Sequence, residues 1–329
     1  MSMEQRPLGR TGADVSVVGL GTWQLGGDWG DVDDDAAADL LDAALDAGVT
    51  LLDTADVYGD GRSEIRIRQA LAPRGDRPFV ATKVGRRADP FSAEQYTPEN
   101  LRAWVDRSRR NLGVETLDLV QLHCPPPATY EDDRVYDALD VLVAEEAIAA
   151  YGVSVETVAE GLRAIQRPGV QSLQVILNIF RRQPLEELLP AARSAGVGIL
   201  ARVPLASGLL TGKYDESTTF PADDHRNFNR NGESFDVGET FAGVPFEVGV
   251  AAAREVAAIA GDAVPTAAFA LRWVIDQPGV TTVIPGARNV EQVRGNVAAA
   301  SLAALTDSQL ADLERVYDER IRAHVHDRW

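Results

Sequence analysis

Leu51-Leu52-Asp53-Thr54-Ala55-Asp56-Val57-Tyr58-Gly59 is the stretch on which the reading of this 329-residue chain turns. The apolar run Val49 to Leu52 reads as a buried strand that stops at a carboxylate, Asp53, and Tyr58 follows five residues later in a glycine-containing turn. Charge at a strand end needs a reason. In parallel α/β proteins the carboxyl ends of strands are where ligands bind, which makes Asp53 and Tyr58 candidates for chemistry. The plainer alternative, Asp53 capping the next helix and Tyr58 a half-buried aromatic, stays open at this point.

The same pattern recurs on both sides of that stretch. Arg6 to Val15 reads as a short hairpin turning at Gly9-Arg10-Thr11-Gly12, and Val15 to Leu20 as the first buried strand, ending in Gly21-Thr22-Trp23. Val49 to Leu52, Pro78 to Thr82, Leu117 to Leu122, Ile148 to Val153, Leu173 to Leu177, Val197 to Ala201 and Val280 to Ile284 follow as strands two to eight. Helical patterns over Asp33 to Ala47, Ser63 to Leu71, Pro98 to Leu112, Arg134 to Glu145 and Val290 to Ala300 separate many of them. Eight strand runs alternating with helices, without a linker-like break, predict one α/β unit over residues 1–329, a single (β/α)8 TIM barrel. Leu205 to Phe246, rich in Gly, Asp, Asn and Thr, is expected to be a mobile flap over the barrel mouth. Glu247 to Ala260 and Thr266 to Ile275 precede strand eight as helices, and Asp307 to Ile321 adds a C-terminal helix.

Composition narrows the function. The formal charge is −18 without any Lys/Arg-rich run, so nucleic acid and anionic membrane are poor partners. No apolar stretch approaches the length that spans a bilayer, and Cys124 is the single cysteine, which excludes a disulfide framework; a cytoplasmic protein is expected. Of 32 basic residues only Lys83 and Lys213 are lysines. A lysine shifts its pKa readily where an arginine does not, so Lys83 at a strand end invites a chemical explanation.

The polar residues at successive strand ends are Asp53 with Tyr58, Lys83, His123, Ser154, Gln174 with Asn178, and Arg202. A barrel brings them to one mouth. Tyr, Lys, Asp and His together make a proton-transfer device: Lys83 beside the phenol is expected to lower the Tyr58 pKa, Asp53 to hold the lysine, and His123 to orient a substrate oxygen. Each residue alone has a structural explanation as a core histidine or an ion pair, but four of them on three consecutive strand ends argue for a site. Gly286 to Asn296 reads as a phosphate site, with glycine allowing close backbone approach at a helix N-terminus and Arg288 able to grip a phosphate bidentately.

Asp53-Thr54-Ala55-x-x-Tyr58-Gly59, Ser63-Glu64, Thr82-Lys83, Asp118-Leu119-x-Gln121-Leu122-His123, Gly152-Val153-Ser154, Leu209-Leu210-Thr211-Gly212-Lys213 and Ile284-Pro285-Gly286-Ala287-Arg288 resemble, in order, the motifs of the aldo-keto reductase superfamily. The resemblance runs from about Leu8 to Leu313. It implies a catalytic tetrad of Asp53, Tyr58, Lys83 and His123, with Tyr58 as general acid, and reduction of a small-molecule carbonyl substrate, aldehyde or ketone, by NADP(H). It further implies Ser154, Asn178 and Gln174 as carboxamide ligands, Gly21, Thr22 and Trp23 as a loop touching cofactor and substrate, and Leu205, Ser207 and Lys213 as a flap over the pyrophosphate. Arg288 stands where the family holds the adenosine 2′-phosphate, with Gln292 and Asn296 near the adenosine. Arg202 stands where many members stack an aromatic ring on the nicotinamide, and a guanidinium there would repel the oxidised ring.

Other departures from the pattern are Val155 in place of a frequent asparagine, Arg68 in place of a small glycine, and Glu145-Glu146-Ala147-Ile148, which lacks the glycine expected to end the preceding helix. A Rossmann fingerprint is rejected because Gln24 stands where the third glycine of Gly19-x-Gly21 should be. No metal site is expected, His324 and His326 being read as solvated tail residues, and Trp23 and Trp29 are expected to line an apolar substrate pocket. The alternatives are a nucleotide-sensing regulatory subunit of slow turnover and an alcohol or sugar dehydrogenase working in the oxidative direction. Oligomeric state is left open.

Overall fold

The computed structural model describes residues 3–26, 32–75 and 77–329, so Trp29 lies outside the described residues. An antiparallel hairpin of β1 (Gln5–Pro7) and β2 (Asp14–Ser16) precedes eight parallel strands. These are β3 (Leu20–Gly21), β4 (Leu51–Asp53), β5 (Phe79–Val84), β6 (Leu119–His123), β7 (Tyr151–Ser154), β8 (Val170–Ile176), β9 (Gly198–Arg202) and β10 (Val280–Val283), each bonded to the next in chain order. The two ends of the sheet meet: Val18 pairs with Val283 and Gly21 with Gly286, and Gly19 donates its N–H to the Val283 carbonyl at 2.8 Å. The sheet closes into the (β/α)8 barrel.

Strand periodicity sorts residues between the lumen and the helix layer. Leu51, Ala81, Leu119, Ala150, Leu200 and Ile284 form one buried cluster with Leu8 and Val15 of the hairpin, which seals that end of the barrel. Two residues further along the same faces come Asp53, Lys83 and Gln121, and beyond them His123, so the alternation that builds the core floor also delivers polar groups to the mouth. The outward residues pack beneath α1 (Asp34–Asp46), α2 (Arg62–Leu71), α3 (Pro98–Leu112), α4 (Asp133–Ala144), α5 (Val158–Ala164) and α6 (Leu188–Ser194). The short α7 (His225–Phe228) belongs to the long segment after β9, and α8 (Phe246–Ala260), α9 (Thr266–Ile275), α10 (Val290–Ala298) and α11 (Asp307–Val316) complete the layer.

Three local differences from the sequence reading have physical causes. Val15 to Leu20 is not one strand: Ser16 is taken into the hairpin, its N–H donating to Thr50 Oγ1 at 2.8 Å, and only Leu20–Gly21 joins the barrel ladder. Helices α5 and α6 are seven residues each, too short to show a periodic pattern, although α5 carries a complete capping box between Thr157 and Glu160. Beyond the α4 C-cap the chain turns at Glu146, φ 59°, a left-handed conformation that glycine adopts without strain.

The segment 205–246 does cover the mouth, but it carries more structure than a bare loop. It winds through 3-10 turns at Ala206–Thr211, Val237–Glu239 and Phe241–Gly243 as well as α7, and Phe220, Phe241, Phe246 and Tyr214 pack ring against ring with centroids 5.0 to 6.3 Å apart. These turns lack the regular spacing from which helices are recognised in a sequence.

Candidate active site

The barrel register places Asp53 on β4 and Lys83 on β5 side by side at the mouth. Lys83 Nζ donates to Asp53 Oδ2 at 2.7 Å, to the Thr54 carbonyl at 2.8 Å and to Tyr58 Oη at 3.3 Å. Gln174 Nε2 donates to the other Asp53 oxygen at 2.7 Å, so the carboxylate is held from two strands. Tyr58 reaches Lys83 because Gly59, φ 58°, turns the chain tightly against Gly26, whose carbonyl a side chain at 59 would strike. His123 at the end of β6 meets the Tyr58 ring edge-on, centroids 6.0 Å apart, and Trp23 stacks on its other side at 6.1 Å. All four tetrad residues converge as the sequence led one to expect.

Their protonation differs from expectation at one point. Burial raises the Tyr58 pKa above that of a free phenol, and Lys83, which pulls the other way, does not reverse it. The expectation of a lowered Tyr58 pKa is corrected: with the phenol largely withdrawn from water, desolvation of a phenolate outweighs one cation. Burial also opposes the Lys83 ammonium, but Asp53 and Tyr58 together leave its pKa raised. For His123, burial and then the charges of Arg86, Lys83 and Arg202 push the pKa well below the ordinary imidazole value, so the ring is neutral, and its Nδ1 is buried without a hydrogen-bond partner among the described residues. The tetrad at neutral pH is thus a protonated phenol, an ammonium–carboxylate pair and a neutral imidazole: a proton donor with a buried polar neighbour.

A cavity of about 840 Å³ opens from this cluster and runs along the barrel rim to the start of α10. Gly21, Thr22, Trp23, Gln174, Arg202, Leu205, Ser207, Lys213, Gly286, Arg288, Gln292 and Asn296 all line it, together with Asp53, Tyr58 and His123. Two expected cofactor residues do not. The Asn178 amide spans the Val203 carbonyl and the Phe180 N–H, and Ser154 Oγ is fully buried 3.5 Å from Cys124 Sγ. Ser154 thus meets the residue after β6 and Asn178 the residue after β9, and of the three Gln174 is the one on the wall. At the far end Asn289 caps α10 by accepting from the Gln292 N–H at 2.9 Å, Gln292 Oε1 accepts from the Arg288 N–H at 2.8 Å, and Asn296 Nδ2 donates to the Gly286 carbonyl at 3.2 Å. The Arg288 guanidinium projects here 3.6 Å from Asp224 of the flap. An elongated cavity with a proton donor at one end and a helix N-terminus with an arginine at the other fits a dinucleotide lying along the rim.

The family model described as "Aldo/keto reductase family" matches residues 17–318. The chain belongs to the aldo-keto reductase family. Among solved structures it is similar to a glycerol dehydrogenase from Gluconobacter oxydans, with a TM-score of 0.80 and 33% identity over 100% of this chain and 98% of that one. It is also similar to an aldo-keto reductase from Klebsiella pneumoniae in complex with NADPH, with a TM-score of 0.71 and 25% identity over 96% of each chain. The NADH-specific methylglyoxal reductase of Escherichia coli K12 is 30% identical over 324 residues, 91% of this chain and 94% of its own length.

This aldo-keto reductase also carries a charged group at the mouth that sequence reasoning missed. Arg202 is not a lone cation: its Nη2 donates to Glu156 Oε2 at 2.8 Å and to the Val155 carbonyl at 3.2 Å, and its Nη1 lies 3.7 Å from Glu239 Oε1. Arg86 donates to the same Glu239 oxygen at 3.1 Å. Burial pushes Glu156 up to about 7, while for Glu239 the two arginines overcome burial and bring it down to about 2. Arg202 is thus paired with two carboxyl groups, and it tethers β9 to the flap. Glu239 gave no signal in the sequence because it sits in an irregular segment, 153 residues from Arg86. His326, expected to be solvated, accepts or donates at Tyr317 Oη at 2.8 Å and lies 3.1 Å from Glu186.

Proposed function

We propose that the protein is an NADP(H)-dependent oxidoreductase that interconverts small aldehydes or ketones and their alcohols, with Tyr58 as the proton donor in the reductive direction. The observation that carries this reading is the contact of Lys83 Nζ with both Asp53 and Tyr58 Oη at the head of the cavity, beside neutral His123. When bound, a reduced nicotinamide dinucleotide supplies the hydride to the carbonyl carbon. The chain's own part is to hold the carbonyl oxygen between Tyr58 and His123 and to deliver the Tyr58 proton to the alkoxide as its charge develops, while Lys83, held in place by Asp53, stabilises the phenolate left behind. Gln174 is assigned to orient the nicotinamide end, and Arg288, Gln292 and Asn296 the adenosine end, where an arginine favours a 2′-phosphate. Complexes with NADPH in the Klebsiella relative support the cofactor, and the NADH-specific relative makes the choice worth measuring. With its one cysteine in no disulfide, the protein is assigned to a reducing, cytoplasmic setting.

The test is NADPH oxidation followed by absorbance with 4-nitrobenzaldehyde, repeated with NADH. Turnover with at least a tenfold preference for NADPH supports the reading. Tight NADPH binding with no turnover on any carbonyl or alcohol replaces it with a nucleotide-sensing role.

A further inference from the structure

We infer that Trp329 is a positioning residue for the flap, the outer half of a clasp that sets how fast a nicotinamide dinucleotide leaves the cavity. The inference rests on the proposed cofactor reading and adds a control on cofactor release. The flap turn from Asp236 to Gly243 is gripped on two sides. On the inner side Glu239 lines the cavity and contacts Arg86 and Arg202. Its carbonyl accepts from Ser207 Oγ at 3.0 Å, the Phe241 N–H donates to the same hydroxyl at 3.1 Å, and Ser207 is itself on the cavity wall. On the outer side stands the Trp329 indole, 8% exposed. Its Nε1 donates to Asp236 Oδ1 at 3.0 Å, the oxygen that also accepts the Gly238 N–H at 2.7 Å and so caps the turn.

Two glycines make the seat for the indole. A β-carbon at Gly243 would come within 2.3 Å of the ring, and one at Gly238 within 3.0 Å of the ring and 2.3 Å of an Arg181 nitrogen. The turn needs an external hold, because Phe241, Ala242 and Gly243 run consecutively through left-handed backbone at φ 54°, 58° and 77°, and two of them carry side chains. The Arg181 guanidinium lies over the Trp329 ring, 3.8 Å from its centroid, and Arg181 Nη2 donates to the Glu156 carbonyl at 2.7 Å. Glu156 in turn accepts from Arg202 at 2.8 Å. The indole therefore reaches the cavity by two routes, through Asp236 to Glu239 and through Arg181 to Glu156 and Arg202. The tail that presents it is anchored apart from the flap, His326 bonding Tyr317 Oη at 2.8 Å and lying 3.1 Å from Glu186. A dinucleotide along the rim leaves when the flap opens, and opening has to break the turn away from Trp329.

NADPH release is measured by stopped flow, bound NADPH being displaced with excess NADP+ and its fluorescence followed. In Trp329→Ala the dissociation rate constant is expected to rise about tenfold, as for the loss of a hydrogen bond to a charged acceptor together with a cation–π contact. The KM for NADPH should rise with it, while kcat/KM for 4-nitrobenzaldehyde at saturating NADPH stays within about twofold of wild type. Trp329→Phe, which keeps a ring on Arg181 and loses the bond to Asp236, should fall between the two. Gly238→Ala disturbs the same clasp from the flap side and should also speed release, and it decides the matter if Trp329→Ala does not fold. An unchanged dissociation rate constant in the deciding variant overturns the inference. So does a proportional loss of NADPH affinity and aldehyde kcat/KM, which would make Trp329 general packing of the barrel. A wild type that binds NADPH and reduces the aldehyde, with release equal in all variants, removes the inference and leaves the reductase reading intact. A wild type that binds no NADPH removes both.

Discussion

Lys83 Nζ stands 2.7 Å from Asp53 Oδ2, both groups being buried, one at the end of β5 and the other at the end of β4. A buried pair of this kind is costly to break from one side, because the survivor keeps its charge without compensation. Asp53→Asn is expected to destabilise the protein by about 3 kcal/mol and to lower kcat by about 10² or more, the Lys83 ammonium then being less favoured beside Tyr58. Urea unfolding and steady-state kinetics check both halves; an unchanged kcat would detach Lys83 and Asp53 from the chemistry.

The phenol and the imidazole set the pH dependence. Burial raises the Tyr58 pKa, so the proton-donating form persists through neutral and mildly alkaline pH, and the lowered His123 pKa keeps that ring neutral down through the range where a free histidine would charge. Carbonyl reduction at saturating cofactor is expected to show no inflection from His123 near pH 6.5 and no loss of the Tyr58 acid below pH 9. An acid limb near pH 6.5 that vanishes in His123→Gln would contradict this.

Asp56 is fully buried two residues before Tyr58, with neither carboxyl oxygen hydrogen-bonded among the described residues. Burial and then Glu64 raise its pKa from 3.8 to about 7 against the opposing pull of Arg87 and Arg107. Between those two values the folded chain holds a proton that the unfolded chain releases, so stability falls as pH rises through this window and the cost is complete above it. At pH 8 Asp56→Asn is expected to be more stable than wild type by roughly 4 kcal/mol, the gap closing toward pH 4. Parallel melting curves for the two proteins from pH 5 to 8.5 would remove Asp56 as the cause.

Much of this site was legible because period-two alternation ties the barrel floor to the mouth: once Leu51, Ala81 and Leu119 face inward, Asp53, Lys83 and His123 must follow. What stayed hidden depends on distant pairing. Arg202 could be placed at a strand end, but its partners Glu156 and Glu239 come from a loop after β7 and from the flap, and no local pattern links them. The seven-residue helices α5 and α6 and the turns of the flap likewise hold too few periods to be read. Ser154 and Asn178 stand where the sequence places them along the chain, and their side chains make internal contacts that no local pattern foretells.

The missing glycine after α4 has a local cost. Glu146 adopts φ 59° with its backbone carbonyl accepting from Thr116 Oγ1 at 2.7 Å, far from the mouth. Glu146→Gly is expected to raise stability by about 1 kcal/mol by relieving the left-handed strain, with kinetics unchanged. Chemical denaturation with an unaltered m value checks it; a lower midpoint would mean that the strain is compensated elsewhere.

Tyr58→Phe tests the central claim most directly. The substitution removes one oxygen, keeps the ring between Trp23 and His123, and leaves Lys83 its bonds to Asp53 and Thr54. With NADPH and 4-nitrobenzaldehyde, the account predicts that kcat falls by about 10² to 10⁴ while NADPH binding, followed by protein fluorescence, stays within about twofold of wild type. A Tyr58→Phe variant that binds NADPH and reduces the aldehyde at close to the wild-type rate would contradict the assignment of Tyr58 as the proton donor.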